Sequence, residues 1–373
     1  MSTVKKSTAK AGGLLGGIIF LVIGVLILWN NEGRTVQTQS AINEAMSSYT
    51  DVSSDKIDPK YDGKVIATKG KINLTESNPI VDSKFGIKIT GVKLERKVEM
   101  YQWQEECTTD EDNVETCSYN KVWSDSLIDS TSFTKSGYTN PTSFKYESQD
   151  YYATNVKVEA FDLPERLLKN LSSDQKLGYE NLTELYKNQV DGFKIADNYL
   201  TNAVNTKDYK IGDLRISYMY ANPTEVSMLG VQKGTTLEAF VSKKGKTIYT
   251  ITKGSYTGKE LLNNMTKANN TIKWLLRVVG IMIVIGGIGS LFNPLTALSD
   301  KIPVLRSIVN FSTSLISTVA GLIISLLVIA IAWFRFRPAL SITLLVIIIA
   351  LIGFLIYKKK SNSSVKEVKT EEK

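Results

Sequence analysis

Residues 11–29 read AGGLLGGIIFLVIGVLILW, hold no charged side chain, and are followed by NNEGR at residues 30–34. The 19 residues of that run match the roughly 20 that a helix needs to cross the hydrocarbon core of a bilayer. A secretory signal peptide is the competing reading. Against it, the run is long, no A-x-A-like site follows, and NEGR is a poor exit for a signal peptidase. The stretch is read as a retained anchor, which makes the chain an integral membrane protein.

Three further apolar runs lie near the other end of the chain. Residues 275–292 are apolar apart from Arg277 near their start, whose long side chain is expected to snorkel to the interface. Residues 308–334 exceed one span, so their Asn310, Ser312, Thr313 and Ser314 end lies in the interface or the helix tilts. Residues 339–357 form the fourth span. Arg335, Phe336, Arg337 and Pro338 alone separate the last two, which predicts a tight hairpin with Pro338 in the first turn of the final helix. The two arginines are expected to be interfacial anchors rather than an ion pathway, because intramembrane charge is costly.

The net charge of +8 suggests nucleic acid until it is divided along the chain. Residues 30–272 carry 30 basic and 33 acidic side chains, so the whole basic excess sits in the membrane-proximal ends. No nucleic-acid partner is expected. Lys5, Lys6 and Lys10 precede the first span, and Lys358, Lys359 and Lys360 open the last tail, which places both termini in the cytoplasm. Lys301 and Arg306 agree with that orientation, while Arg335 and Arg337 oppose it.

The resulting layout is a cytoplasmic tail, first helix and NEGR motif (1–34), an extracytoplasmic α+β domain (35–272), three membrane helices (273–357) and a basic cytoplasmic tail (358–373). The host membrane is a bacterial cell membrane, or the endoplasmic reticulum or nuclear envelope in a eukaryote. An oxidising compartment permits a disulfide between Cys107 and Cys117, which flank an acidic stretch with strand-like sequence on both sides.

Residues 94–107 and 118–126 alternate partially and are rich in Val, Tyr and Trp, so a ladder closed by the cysteines sets Tyr101 opposite Trp123. Further strands are expected at 64–74, 152–161, 214–220, 236–242 and 247–253. Helices are expected at 163–171 from Pro164, at 181–200, and at 258–274 leading into the second span. Strands predominate, giving a sheet core with a helical insertion.

The absence of histidine removes imidazole triads, histidine metal ligands and imidazole proton shuttles. Two cysteines cannot make a four-cysteine zinc site. No nucleophile elbow, phosphate loop or C-x-x-C pair is present, so no catalytic residue, cofactor or metal is assigned. The acidic tip at Asp110, Glu111 and Asp112 lacks the ligand spacing of a calcium loop. Tyr101, Trp103 and Trp123 form either a ligand surface or ordinary cross-strand packing. Gly12, Gly13, Gly16 and Gly17 make small-xxx-small pairs on one helical face, suited to self-association or to packing within the bundle.

NEGRTVQTQSAINEA from Asn31, VKLERKVEMYQWQEE from Val92, CSYNKVWSDSLIDSTSF from Cys117, KIGDLRISYMYA from Lys210 and IAWFRFRPAL from Ile331 resemble the transmembrane protein 43 (LUMA) family, in its order. The motif residues are Asn31, Glu32, Gly33, Arg34, Tyr101, Gln102, Trp103, Gly212, Asp213, Leu214, Arg215, Pro303, Arg337 and Pro338. Two departures stand out: Asn30 replaces an aromatic before NEGR, with Trp29 one place earlier, and the cysteine pair is not a family feature. Trp29 is expected at headgroup depth, with Gly33 turning the chain out of the membrane.

The resemblance implies a role in organising membrane-protein assemblies. Animal members reside in the endoplasmic reticulum and inner nuclear membrane, self-associate, and bind emerin and lamins. The leading expectation is a non-enzymatic multi-pass scaffold, embedded in the lipid bilayer and associating with itself and with membrane proteins not identified by sequence. The alternative is an envelope sensor whose outer domain recognises a lipid, glycan or peptide.

Overall fold

A computed structural model describes residues 2–74, 79–109, 115–187, 190–299, 303–339 and 341–343, excepting the side chains of 2–14, 109, 115, 293–299 and 303–313. The fourth span expected at 339–357 lies outside the described residues from 344 onward, as do the basic tail and the acidic tip at 110–112. The chain forms two compact units, Met1–Ser40 with Met265–Lys373, and Ala41–Asn264.

The first unit is built from the greater part of two long helices, α1 (Ser2–Ser48) and α2 (Gly258–Ser299), and from a third, α3 (Pro303–Phe336). Three helical segments, Leu15–Ser48, Gly258–Phe292 and Ser314–Phe336, are long and apolar enough to cross a membrane. Their aliphatic residues extend around the helix rather than along one stripe, as a helix surrounded by lipid requires. Leu28, Val284, Ile288 and Ile329 form the buried centre.

Small residues bring α1 and α2 together. A Cβ on Gly287 would lie 2.7 Å from the Leu21 amide nitrogen, and one on Gly17 would lie 2.9 Å from the Gly287 carbonyl oxygen. The expected glycine face therefore divides. Gly17 is spent on packing within the chain, whereas Gly16 has nothing within 4 Å among the described residues. The side chains at Gly12 and Gly13 lie outside the described set. Gly33 corrects an expectation: it is an interior residue of α1, which stays helical to Ser48.

The second unit contains two seven-stranded sheets. In one, β1 (Val65–Asn73) pairs antiparallel with β5 (Glu225–Lys233), with Val156–Val158 and Phe161–Leu163 beyond β1 and Thr236–Glu238 beyond β5. In the other, β2 (Lys93–Thr109) lies between β3 (Glu115–Ser124) and β4 (Leu214–Ala221). One core cluster takes residues from both sheets, among them Ile66, Leu94, Phe161, Ile216 and Met228. Tyr101 pairs with Trp123 and Cys107 with Cys117, as the alternation predicts.

The helix expected at 181–200 is a second correction. Among the described residues of that stretch, helix is confined to Tyr179–Leu185, and the chain then forms the hairpin Lys194–Ala196 with Tyr199–Thr201. Asp191, Gly192 and Asp197 have φ of 48°, 74° and 50°, left-handed conformations that a continuous helix excludes.

Candidate functional site

The NEGR string occupies one turn of α1, where Asn31 and Glu32 are buried at 2% and 0% exposure. Burying a carboxylate demands compensation, and α2 and α3 supply it. Glu32 Oε1 accepts a hydrogen bond from Arg277 Nε at 2.7 Å and lies 2.6 Å from Arg277 Nη2. Its Oε2 accepts from Trp333 Nε1 at 3.0 Å, with Arg337 Nη2 at 3.9 Å. Arg277 does not snorkel outward as expected. Its guanidinium turns to Glu32 and sits 4.9 Å from the Trp274 ring and 5.9 Å from that of Trp333.

The other three motif residues join the same helices. Asn31 Nδ2 donates to the Lys273 carbonyl at 2.9 Å, and Arg34 Nη1 donates to Asn269 Oδ1, also at 2.9 Å. Asn269 in turn donates from Nδ2 to the Thr35 carbonyl at 3.1 Å. Gly33 faces the Phe336 ring, 2.8 Å from where a Cβ would stand, and Phe336 meets Trp29 edge-on at 5.7 Å. One turn of α1 is thus fastened to both other helices by an ion pair, amide hydrogen bonds and ring contacts.

The remaining family strings meet in the strand unit. Tyr101 N donates to the Asp213 carbonyl and Gly212 N to the Tyr101 carbonyl, both at 2.9 Å. Gly212 has φ of +94°, a conformation that favours glycine. Leu214 is buried opposite Met100, and Arg215 Nε donates to Glu99 Oε2 at 2.7 Å while lying 4.7 Å from the Trp123 ring. Gln102, fully buried, donates to the Ser126 carbonyl and accepts from Ile128 N, each at 2.9 Å. Trp103 N donates to Asn140 Oδ1 at 2.7 Å. These side chains serve packing and strand-end closure, and the Cys107–Cys117 disulfide is formed.

Sequence reading missed one constellation. Arg96 and Asp82, both with fully buried side chains, pair at 2.7 Å, and Asp82 also accepts from Tyr218 Oη at 2.7 Å and Tyr151 Oη at 2.8 Å. Burial, then the Asp82 charge, pushes the Tyr218 hydroxyl far above the ordinary tyrosine range. The signal was available: Arg96 stands in phase with Leu94, Val98 and Met100 on the inward face of β2.

A cavity of about 220 Å³ in the strand unit is bordered by Asp51, Lys56, Asp58, Lys60, Tyr61 and Gln232. Pro303 opens α3, and Pro338 and Ala339 are helical after the single non-helical residue Arg337.

A family model described as Transmembrane protein 43 matches residues 100–338. The chain belongs to the transmembrane protein 43 family. It is 28% identical to Transmembrane protein 43 of Homo sapiens over 378 residues, covering 96% of this chain and 92% of that protein. It is 29% identical to the Pongo abelii protein, covering 88% and 85%, and 26% identical to the Drosophila melanogaster homolog, covering 89% and 90%. No solved structure matches. Membership of the transmembrane protein 43 family agrees with a chain of several apolar helices and one strand-rich unit.

Proposed function

We propose that this chain is a non-enzymatic multi-pass membrane scaffold that organises membrane-protein assemblies. In this reading residues 339–357 are a fourth span, both termini are cytoplasmic, and the strand-rich unit stands outside the cytoplasm. The observation that carries it is the use made of the NEGR turn. Glu32 accepts from Arg277 through one oxygen and from Trp333 through the other, so the buried carboxylate ties α1 to both other helices and serves their assembly.

Self-association is supported by the side of α1 that the described residues leave uncovered. Leu15, Ile18, Ile19, Phe20, Val22 and Leu26 are exposed there, and Gly16 offers a place of close approach that the described residues leave empty. Light scattering of the purified full chain in mild detergent tests this. The wild type is expected to be oligomeric, and Gly16→Leu to shift it toward monomer without lowering its thermal midpoint. A wild type that is monomeric at all concentrations would oppose the reading.

A further inference from the structure

Around the NEGR turn the charges do not balance. Arg34, Lys273, Arg277 and Arg337 cluster there with Glu32 as the single carboxylate beside them among the described residues. Arg34 is held by neutral partners, Asn269, Asn31 and Thr35. Arg277 takes up the Glu32 charge, and Arg337 has Glu32 Oε2 as its nearest carboxylate oxygen among the described residues, at 3.9 Å. Lys273 stands one helical turn before Arg277, feels the like charges of Arg277 and Arg337 as well as the opposite charge of Glu32, and among the described residues donates to the neutral Asn270 Oδ1, at 2.9 Å. Like charges four residues apart on a helix repel, and repulsion grows where the dielectric falls.

The place of the cluster along the helices is as telling as its charge. On α1 the aliphatic run ends at Leu28 and Trp29 and gives way to Asn30–Arg34; on α2, Asn269 and Asn270 give way to Trp274 and the aliphatics after Leu275. Trp29, Trp274 and Trp333 all lie within about a turn of the charged groups, the arrangement found where membrane helices meet phospholipid headgroups. Trp274, Leu275 and Val278 are exposed at 59%, 60% and 50%, so an apolar strip leads from the cationic group along α2.

We propose that Lys273 and Arg337 bind the phosphate of an anionic phospholipid, with its glycerol and acyl portion lying along Trp274, Leu275 and Val278. The phosphate supplies the negative charge the cluster lacks, and the apolar strip selects a lipid over a soluble anion. Basic pockets between membrane helices hold headgroups by the same forces. The site requires that the helices cross a bilayer, and it stands whether or not the chain organises partners.

The test uses the full chain in a neutral detergent, titrated separately with phosphatidylglycerol, phosphatidylcholine and inorganic phosphate. Tryptophan fluorescence and lipid retained in native mass spectra are the readouts. Phosphatidylglycerol is expected to bind and to change the fluorescence, with phosphatidylcholine and phosphate far weaker. The double variant Lys273→Gln, Arg337→Gln is expected to bind phosphatidylglycerol about thirty-fold more weakly, the effect of removing two headgroup-facing charges. Lys267→Gln, on the same helix but outside the cluster, is expected to bind as the wild type does. Equal binding of the two lipids by the wild type would overturn the proposal without recourse to any variant. Undiminished binding by the double variant would overturn it too, and a response to phosphate equal to that of phosphatidylglycerol would overturn the lipid assignment.

Discussion

Glu32 and Asp82 show the same physics in two settings: a carboxylate at 0% exposure, each against an arginine and an aromatic hydrogen-bond donor. Breaking a buried pair by removing one member costs about 3–5 kcal/mol, because the other charge is stranded. Glu32→Gln is therefore expected to lower unfolding stability by about that amount, read by thermal or denaturant unfolding in detergent. Replacing Glu32 and Arg277 together by methionine is expected to recover most of the loss, since the desolvation cost leaves with the pair. Neither carboxylate is legible from composition. What the sequence does carry is phase: Arg96 lies on the apolar side of an alternating strand, and Glu32 directly beyond an apolar helix. Their partners Asp82 and Arg277 lie 14 and 245 positions away, separations that no local pattern spans.

Acid is a second probe at this scale. Burial pushes the Glu99 carboxyl up, but hydrogen bonds from Arg215 and Lys97 outweigh it and hold the group below the ordinary carboxylate range. The Thr235 hydroxyl, against an opposing effect of burial, does the same for Asp162. A depressed folded pKa gives stability that is complete above the unfolded value, roughly 4, and is lost as pH falls through the folded one. The strand unit is thus expected to hold its stability from neutral pH to about 5 and to lose it progressively below about 4. Glu99→Gln should flatten part of that slope in a pH series of denaturant melts.

Among the elements, the ribbon with a clear period was readable to the residue pair, and one central strand with a long buried run was not. The β2–β3 ribbon alternates and was placed to the residue pair, Tyr101 with Trp123. β5 lies beside β1 in its sheet, yet EVSMLGVQK was not read as a strand, because its buried run from Val226 to Gly230 shows no alternation. Residues 181–200 have apolar spacing that suits a helix, but Gly192 and the left-handed Asp191 and Asp197 decide for a hairpin.

Glycine was legible as a means of helix approach, without indicating which glycine meets which neighbour. Gly287→Leu is expected to destabilise the α1–α2 contact by about 1–3 kcal/mol or more, the cost of overpacking. The obstacle there is backbone, the Leu21 amide at 2.7 Å, which has no rotamer to escape into. Gly16→Leu is expected to leave the melt unchanged, so parallel melts of the two variants separate packing within the chain from contact between copies.

For the whole molecule, length, hydropathy and charge distribution gave a membrane protein with a polar insert, and the family strings gave its relatives. The helix ends were unequally legible: α2 begins at Gly258, where the sequence pattern places it, whereas α1 stays helical to Ser48, well beyond its apolar run. Hydropathy marks where a helix is greasy, whereas its hydrogen-bonded length is set by what its polar turns pack against. Sidedness rests on lysine distribution, and the scaffold reading depends on which compartment receives the strand unit. The most direct measurement is labelling of intact cells with a membrane-impermeant thiol reagent, using single cysteines at Ser7, Ser136 or Ser363 in a chain whose Cys107 and Cys117 are replaced by serine. The account predicts labelling at Ser136 alone, with Ser7 and Ser363 reacting only after the membrane is opened. Labelling at Ser7 and Ser363 but not at Ser136 would contradict it.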